Sequence, residues 1–405
     1  MNFTILLDLD DTLIENSMGK FIPAYLEMLS KQLSGYVSSN IIPAAILSGT
    51  DKMVSNENPF KTLEDCFDSY FYPEVKETKH VLEPEINHFY SNYFPKLKYL
   101  TKPIPFANVV VKNLIENEYQ IAIATNPLFP KAAILHRLNW ANIDVELNKY
   151  KLISSYEEFH FAKPNPAFFA EILSQLGWQE GQVAMIGNDL EMDIKPAEEL
   201  GIPTFFLGKD PELSNYQKNR LSTSGSWNDV ATWIKNLSKS VESFELENSY
   251  IAYRSVLLAT AATINTIIRK FPDFNFWKEK PNKTEWSLIE IISHLADVDD
   301  EVNISRMTTI MSDPDPFFLA AFTDEWAETR NYISYDPQVQ TERFISNRLK
   351  LIQIIDSFSE DVWNKPVTHV IFGPTSVLEM IKIIVQHDRI HINQIWQTIN
   401  TKKNK

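Results

Sequence analysis

The chain has 405 residues, 44% of them hydrophobic, and its 53 Asp and Glu against 38 Lys and Arg give a formal net charge of −15. That length calls for two or three domains with packed cores, and the charge argues against nucleic acid or an anionic membrane surface as the main partner. A small phosphorylated metabolite remains admissible, because a metal ion and one lysine can supply local positive charge.

One cysteine, Cys66, leaves no intrachain disulfide framework and fits a reducing compartment. The first residues enter an apolar run at once, without the basic start of a signal peptide, and no run of about 18 apolar residues follows. A cytoplasmic protein without a membrane-spanning helix is the expectation.

Phe3-Thr4-Ile5-Leu6-Leu7 reads as a short buried strand. Asp8 and Asp10 follow it, then Thr12. Ligands of open α/β sheets bind at the carboxyl ends of strands, so a site is expected here. An Asp-x-Asp pair in that place can hold a divalent cation, with one carboxylate to attack and the other to move protons. Residues 14 to about 100 change character, with helical periodicity and aromatics, and read as a helical insertion.

Pro103 and Pro105 mark a return to the sheet, with a helix expected at 106–117. Residues 119–124 read as a buried strand that ends at Thr125 and Asn126, a hydroxyl and an amide suited to phosphoryl oxygens. Residues 144–153 read as extended. Lys163 precedes a helix started by proline. Residues 183–187 form another strand, whose glycine, Gly187, permits a tight turn into Asn188, Asp189 and, four residues on, Asp193. A further strand is expected near 202–207 and a last helix at 226–234. The polar stretch 235–247 is the expected domain boundary.

From Asn248 onward strand signals vanish. Helices are expected near 248–270, 287–311, 337–358 and 376–399. Two open with Ser-x-x-Glu capping boxes (Ser287 to Glu290, Ser376 to Glu379), and a third opens with Asp336-Pro337. Four helices of this length suggest a bundle. His387 and His391 are four apart and share a helix face, and His294 lies on the second helix. Together they can offer three nitrogens to zinc, nickel or iron(II), with positions left for water or substrate. Asp297, Asp299, Asp300 and Glu301 read as a solvated acidic face, with Asp297 placed to orient a ligand.

The four N-terminal motifs, Asp8-x-Asp10-x-Thr12, Thr125, Lys163 in Lys-Pro-x-Pro-x-x-Phe, and Gly187-Asn188-Asp189 with Asp193, resemble the haloacid dehalogenase superfamily over residues 1–240. The resemblance implies an α/β Rossmann-like parallel-sheet core (1–13 and 101–240) with an inserted helical cap (14–100). It also implies magnesium held by Asp8, Asp10 through its backbone carbonyl, and Asp189, with Asp193 a supporting or alternative ligand. Asp8, Asp10 and Lys163 would be catalytic, and Thr125, Asn126 and Lys163 would bind the phosphoryl group. Asn188 departs from the pattern, since many relatives carry aspartate directly after the glycine.

Trp286-Ser287-x-x-Glu290, His294 and His387-x-x-x-His391 resemble the DinB-like family, an all-α four-helix bundle with a histidine triad, over residues 245–400. The expectation is therefore a magnesium-dependent phosphatase acting on a small phosphomonoester through an aspartyl-phosphate, fused to a DinB-like metal-binding domain. A phosphomutase would keep the same nucleophile and acid/base pair. The C-terminal resemblance also admits thiol S-transfer with a low-molecular-weight thiol, or a non-catalytic module for binding or homodimer formation.

Overall fold

The computed structural model describes residues 3–144, 146, 149–178, 181–209, 213, 217–239, 243–323 and 325–403. All five residues of β1 (Phe3–Leu7) are buried, as an uninterrupted apolar run dictates for a strand covered on both faces. The strands that follow are β2 (Ile14–Asn16), β3 (Thr101–Pro103), β4 (Gln120–Ile123), β5 (Leu152–Ile153), β6 (Gln182–Gly187), β7 (Thr204–Leu207) and β8 (Thr223–Gly225). Six of them form one parallel sheet in the order β5-β4-β1-β6-β7-β8. This is the α/β Rossmann-like sheet that the motifs imply. Because β1 lies between β4 and β6, the segments leaving all three strands emerge side by side.

β2 and β3 pair antiparallel and close the base of the helical insertion. Between them run α1 (Met18–Leu33), α2 (Ile42–Val54), α3 (Leu63–Val75) and α4 (Lys79–Asn92). Aromatic edges fill this region: Phe94 stacks on Trp140 at 5.4 Å and meets Phe21 edge-on at 5.9 Å. The core helices are α5 (Ala107–Glu116), α6 (Lys131–Trp140), α7 (Pro166–Gln175) and α8 (Trp227–Leu237). Of the extended stretch expected at 144–153, only Leu152 and Ile153 form a strand, and residues 145, 147 and 148 lie outside the described residues.

The chain divides into two units, residues 1–172 with 180–247, and residues 173–179 with 248–405. The second unit is helical: α9 (Tyr250–Lys270), α10 (Leu288–Asp297), α11 (Ile304–Ser312), α12 (Pro337–Asp356) and α13 (Val377–Lys403). A π-helical segment, Val298–Asn303, joins α10 to α11, so the expected second helix is one element with a bulge. Ser287 and Glu290 form the expected capping box, and Asp336 accepts from Val339 N at 3.1 Å. Ser376 and Glu379 bond reciprocally at 3.2 and 3.1 Å.

Helix α9 has the length and apolarity of a membrane span, a feature not expected from the sequence, but 89% of its most apolar window is buried within the structure. Three short strands, β9 (Phe317–Phe318), β10 (Pro366–His369) and β11 (Gly373–Ser376), also depart from the all-helical expectation. Strands of two to four residues are too short for alternation to register in the sequence.

Candidate active site and metal centre

The carboxyl end of β1 delivers Asp8, whose N–H bonds Ile186 O at 3.0 Å while Ala124 N bonds Leu7 O at 2.7 Å. These ties fix the exits of β6 and β4 against β1. Beyond Asp8 the chain turns back, with Leu13 and Ile14 both donating to Leu9 O, and Asp11 in the left-handed region at φ 55°. The Thr12 carbonyl accepts from the Trp227 indole at 3.0 Å, and its hydroxyl donates to Asn188 Oδ1 at 2.8 Å.

Lys163 is 1% exposed and bonds Asp8 Oδ1 at 2.8 Å and Asp193 Oδ1 at 2.6 Å. Burial alone would lower its ammonium pKa, but Asp193 and Asp8 more than offset that and raise it, so the lysine stays charged. The loop that carries it is pinned on both sides. Asn126 Oδ1 accepts from Lys163 N at 3.1 Å, and the fully buried Glu171 accepts from His160 N and Phe161 N and meets His160 Nδ1 at 2.8 Å. Thr125 is buried beside Asn126, and its carbonyl accepts from Ser154 Oγ at 2.7 Å.

Of the two aspartates after Gly187, Asp189 departs from its expected place, while Asp193 takes the supporting one. Asp189 is exposed, and its Oδ1 accepts from Glu191 N and Met192 N at 2.9 Å each, a helix cap. Asp193 is 1% exposed, and while one oxygen takes Lys163, the other accepts from Asn188 N and Asp189 N at 3.1 Å each. Burial, then Asp8, raise its carboxyl to about 7 against the opposing pull of Lys163. A Cβ on Gly187 would lie 2.3 Å from Asp193 Oδ2, so only glycine admits this turn. Asp193 thus anchors the lysine and the turn and is no open metal ligand, and it is Asn188, not Asp189, that faces Thr12.

Asp10 is paired with the buried Arg137 of α6, and Asn16 Nδ2 donates to its other oxygen at 3.0 Å. Burial lowers the Arg137 guanidinium pKa to about 10, with Asp8 acting in the opposite direction.

In the second unit the three expected histidines come together. His387 Nε2 lies 3.1 Å from both His294 Nε2 and His391 Nε2. They are the one set of three His, Cys, Asp or Glu ligand atoms within 4.8 Å of one another among the described residues. Nitrogens at about 2.0–2.1 Å from one ion in a tetrahedral array stand roughly 3.3 Å apart, so the spacing fits a divalent metal. His391 Nδ1 lies 2.9 Å from Gln394 Oε1, a contact that suits the tautomer leaving Nε2 with its lone pair. The Trp286 indole stacks on His391 at 5.8 Å and 9°. Burial, then His391, lowers His294 from 6.5 to about 3, and burial, then His391 and His294, holds His387 well below 6.5. Neutral imidazoles are the metal-binding form.

Residues 4–201 match the family model of haloacid dehalogenase-like hydrolases, and residues 257–395 match that of the DinB superfamily. The two matches fall on separate stretches, a hydrolase-like region and a DinB-like region. Among curated proteins it is similar to the glyceraldehyde 3-phosphate phosphatase of Methanocaldococcus jannaschii, at 33% identity over 90 residues, which cover 20% of this chain and 37% of that protein. The chain therefore spans just over a third of that relative's length. Among solved structures it is similar to a HAD phosphatase from Thermococcus onnurineus, at 14% identity and TM-score 0.37, covering 58% of this chain and 98% of that one. It is also similar to YfiT from Bacillus subtilis, a protein with an unusual four-helix bundle topology, at 15% identity and TM-score 0.34, covering 40% and 95%.

Sequence reasoning missed several residues. In the hydrolase region, Arg137 and Glu171 carry no motif signal, and Asn188 stands out in the sequence only as a departure from the motif. In the DinB region, the solvated acidic face holds for Asp300 and Glu301, which are exposed, and fails for the other two. Asp297 is 4% exposed and takes Arg330 and Arg343, and Asp299 is fully buried against Arg348, which also pairs with Asp388.

Proposed function

We propose that the hydrolase region is a magnesium-dependent phosphatase acting on a small phosphomonoester. The observation that carries this reading is the buried Lys163 bonded to Asp8 at a strand end, with a second carboxylate, Asp10, two residues on. Asp8 attacks phosphorus and becomes an aspartyl-phosphate as the ester oxygen departs. Asp10 gives that oxygen a proton, then takes one from the water that breaks the intermediate. Lys163 offsets charge on the phosphoryl oxygens, with Asp193 and Glu171 holding it in place, and Thr125 and Asn126 line the same strand ends. Lys163 takes Oδ1 of Asp8, and Asp8, the Asp10 carbonyl and the Asn188–Asp189 turn would hold magnesium, an oxygen set that suits a hard cation. When bound, magnesium neutralises phosphoryl charge. The helical insertion would exclude water and select substrate. The test is magnesium-dependent phosphate release from a panel of phosphomonoesters. Release by the wild type and its loss in Asp8→Asn support the reading, and a folded, magnesium-loaded protein inert on every ester refutes it.

For the DinB region we propose a divalent metal centre at His294, His387 and His391, with zinc, nickel and iron(II) separated by measured affinity. Thiol S-transfer is the activity to assay there. A metal-loaded protein that transfers no thiol, and whose fold and assembly respond to ligand or partner, would favour a binding or dimerisation module instead.

A further inference from the structure

A cavity of about 240 Å³ in the second unit is lined by His387 of the triad, Arg306 of α11 and His369 of β10. Arg306 is half-buried, and its guanidinium donates to Leu319 O at 2.8 Å and stands 5.7 Å from the Phe318 ring centroid. Among the described residues no carboxylate pairs with it, and burial lowers its pKa with no acidic neighbour opposing the shift. In a chain with 53 acidic side chains, that is a cation without its counter-ion. His369 is 3% exposed, and its Nδ1 accepts from Ile371 N at 3.2 Å, which puts the ring proton on Nε2. Nε2 bonds no described residue. Burial, then Arg306, lowers the His369 pKa, so the ring is neutral and offers one N–H. His369 pairs with Phe318 across β9 and β10, and the next carbonyl, Leu319 O, takes Arg306, so the two donors are held together.

The lining gives the cavity a direction. Asp299 and Asp388 both take Arg348, which sets the π-helical segment level with α13 beside the triad. From that level the cavity follows Val302 and Arg306 up one helix, and Ile384 and Met380 back along the other. Arg306 is seven residues beyond Asp299, so it stands about 10 Å along the axis from the His387 end. The wall between is apolar. Two lining rings, Phe322 and Phe372, are largely exposed, so the cavity is open to solvent.

A guanidinium fork matches a carboxylate in two parallel hydrogen bonds, and one cation beside a neutral N–H offsets one negative charge, not the two of a phosphate. An apolar cavity of about 150 Å³ admits benzene, so this one has room for a ring with a short acid chain. We propose that the cavity binds a small apolar monocarboxylate, of the arylalkanoate class, with its carboxylate on Arg306 and His369 Nε2 and its apolar body lying along the helices toward His387. The role of this ligand as substrate of the metal centre rests on the histidine-metal reading; the binding site itself does not.

The test is calorimetric titration of the full chain, zinc-loaded and metal-free, with 3-phenylpropanoate, 3-phenylpropanamide and acetate. The first is expected to bind at least about tenfold tighter than the amide, which has its shape without its charge, and than acetate, which has its charge without its body. In Arg306→Gln the preference over the amide should fall to within about threefold of unity, and Arg306→Lys, a cation without the fork, should keep part of it. The same preference in metal-free wild type supports the site. Equal binding of acid and amide by the wild type, or no binding of the acid at millimolar concentration, would overturn the proposal whether or not the variants fold. A preference that needs zinc and survives Arg306→Gln would also overturn it and place the carboxylate on the metal. Absence of zinc uptake by a chain that still prefers the acid would remove the metal reading and support the site.

Discussion

The two candidate sites solve opposite electrostatic problems. The aspartate site gathers charge: Asp8 and Asp193 share the buried Lys163, and Asp10 holds the buried Arg137. The histidine site gathers neutral rings whose Nε2 atoms converge at 3.1 Å with no charge to bind them. The first is stable because its carboxylates already have internal cations. The second brings three ring nitrogens together on one point, an arrangement suited to a metal. A strand-end site can be assembled from loops tied to the sheet, whereas three rings on helix faces need rigid helices, and the capping boxes and the Arg348 ion cluster serve that rigidity.

Changes to Asp8 should break the comparison most sharply. Asp8→Asn is expected to reduce magnesium-dependent phosphate release by at least about 10³-fold while leaving metal uptake by the histidine triad intact. Steady-state phosphate release and metal analysis on the same preparation check both halves. Loss of both together would mean that Asp8→Asn disrupts folding.

Removing the internal cation is the next largest effect. Lys163→Ala leaves Asp8 and Asp193 buried without their shared partner, and stripping one member from such a cluster costs about 3–5 kcal/mol. Denaturant unfolding should show that loss, and Lys163→Arg should not restore activity, because the bulkier fork cannot sit at 2.8 and 2.6 Å from both carboxylates. Arg348→Ala, which strands Asp299 and Asp388, should destabilise the DinB region by a similar amount.

The neutral site has its own pH signature. His294 and His387 titrate lower folded than unfolded, so below pH 6.5 the unfolded chain takes up protons that the folded chain refuses. Stability of the metal-free DinB region is therefore full above about 6.5 and falls as the pH drops through that value toward about 3. Calorimetry at stepped pH should show its Tm falling, and added zinc should hold it up, since metal binds the neutral rings. A smaller effect, about 1 kcal/mol, is expected for Ser287→Ala, which removes the cap of the helix carrying His294.

Much of this arrangement is written locally. The strand-end aspartates, the lysine before its proline-started helix, the glycine turn and the paired histidines all follow from residue type and short spacing, and so do the sheet and the long helices. What the sequence does not mark are partners joined only by the fold. Arg137 meets Asp10 across 127 positions and sits in an unremarkable helical run, and Arg348 meets Asp299 across 49. The exchange of roles at Gly187-Asn188-Asp189 is hidden for another reason. Which of two adjacent side chains faces the site depends on how the turn leaves β6, and the Asp193 bonds to both backbone N–H groups decide that. The inward turn of Asp299 belongs to the π-helical segment Val298–Asn303, which a helical repeat does not mark in the sequence.

The measurement that bears most directly on the Asp8 chemistry is covalent trapping. Asp10→Asn should slow breakdown of the intermediate but not its formation from an ester whose leaving group needs no proton, so acid-quenched protein incubated with magnesium and radiolabelled 4-nitrophenyl phosphate should carry phosphoryl label on the peptide containing Asp8. The label should be absent in Asp8→Asn. Phosphate turnover by the wild type with no labelled aspartate in the Asp10→Asn protein, or label that persists in Asp8→Asn, would contradict Asp8 as the nucleophile.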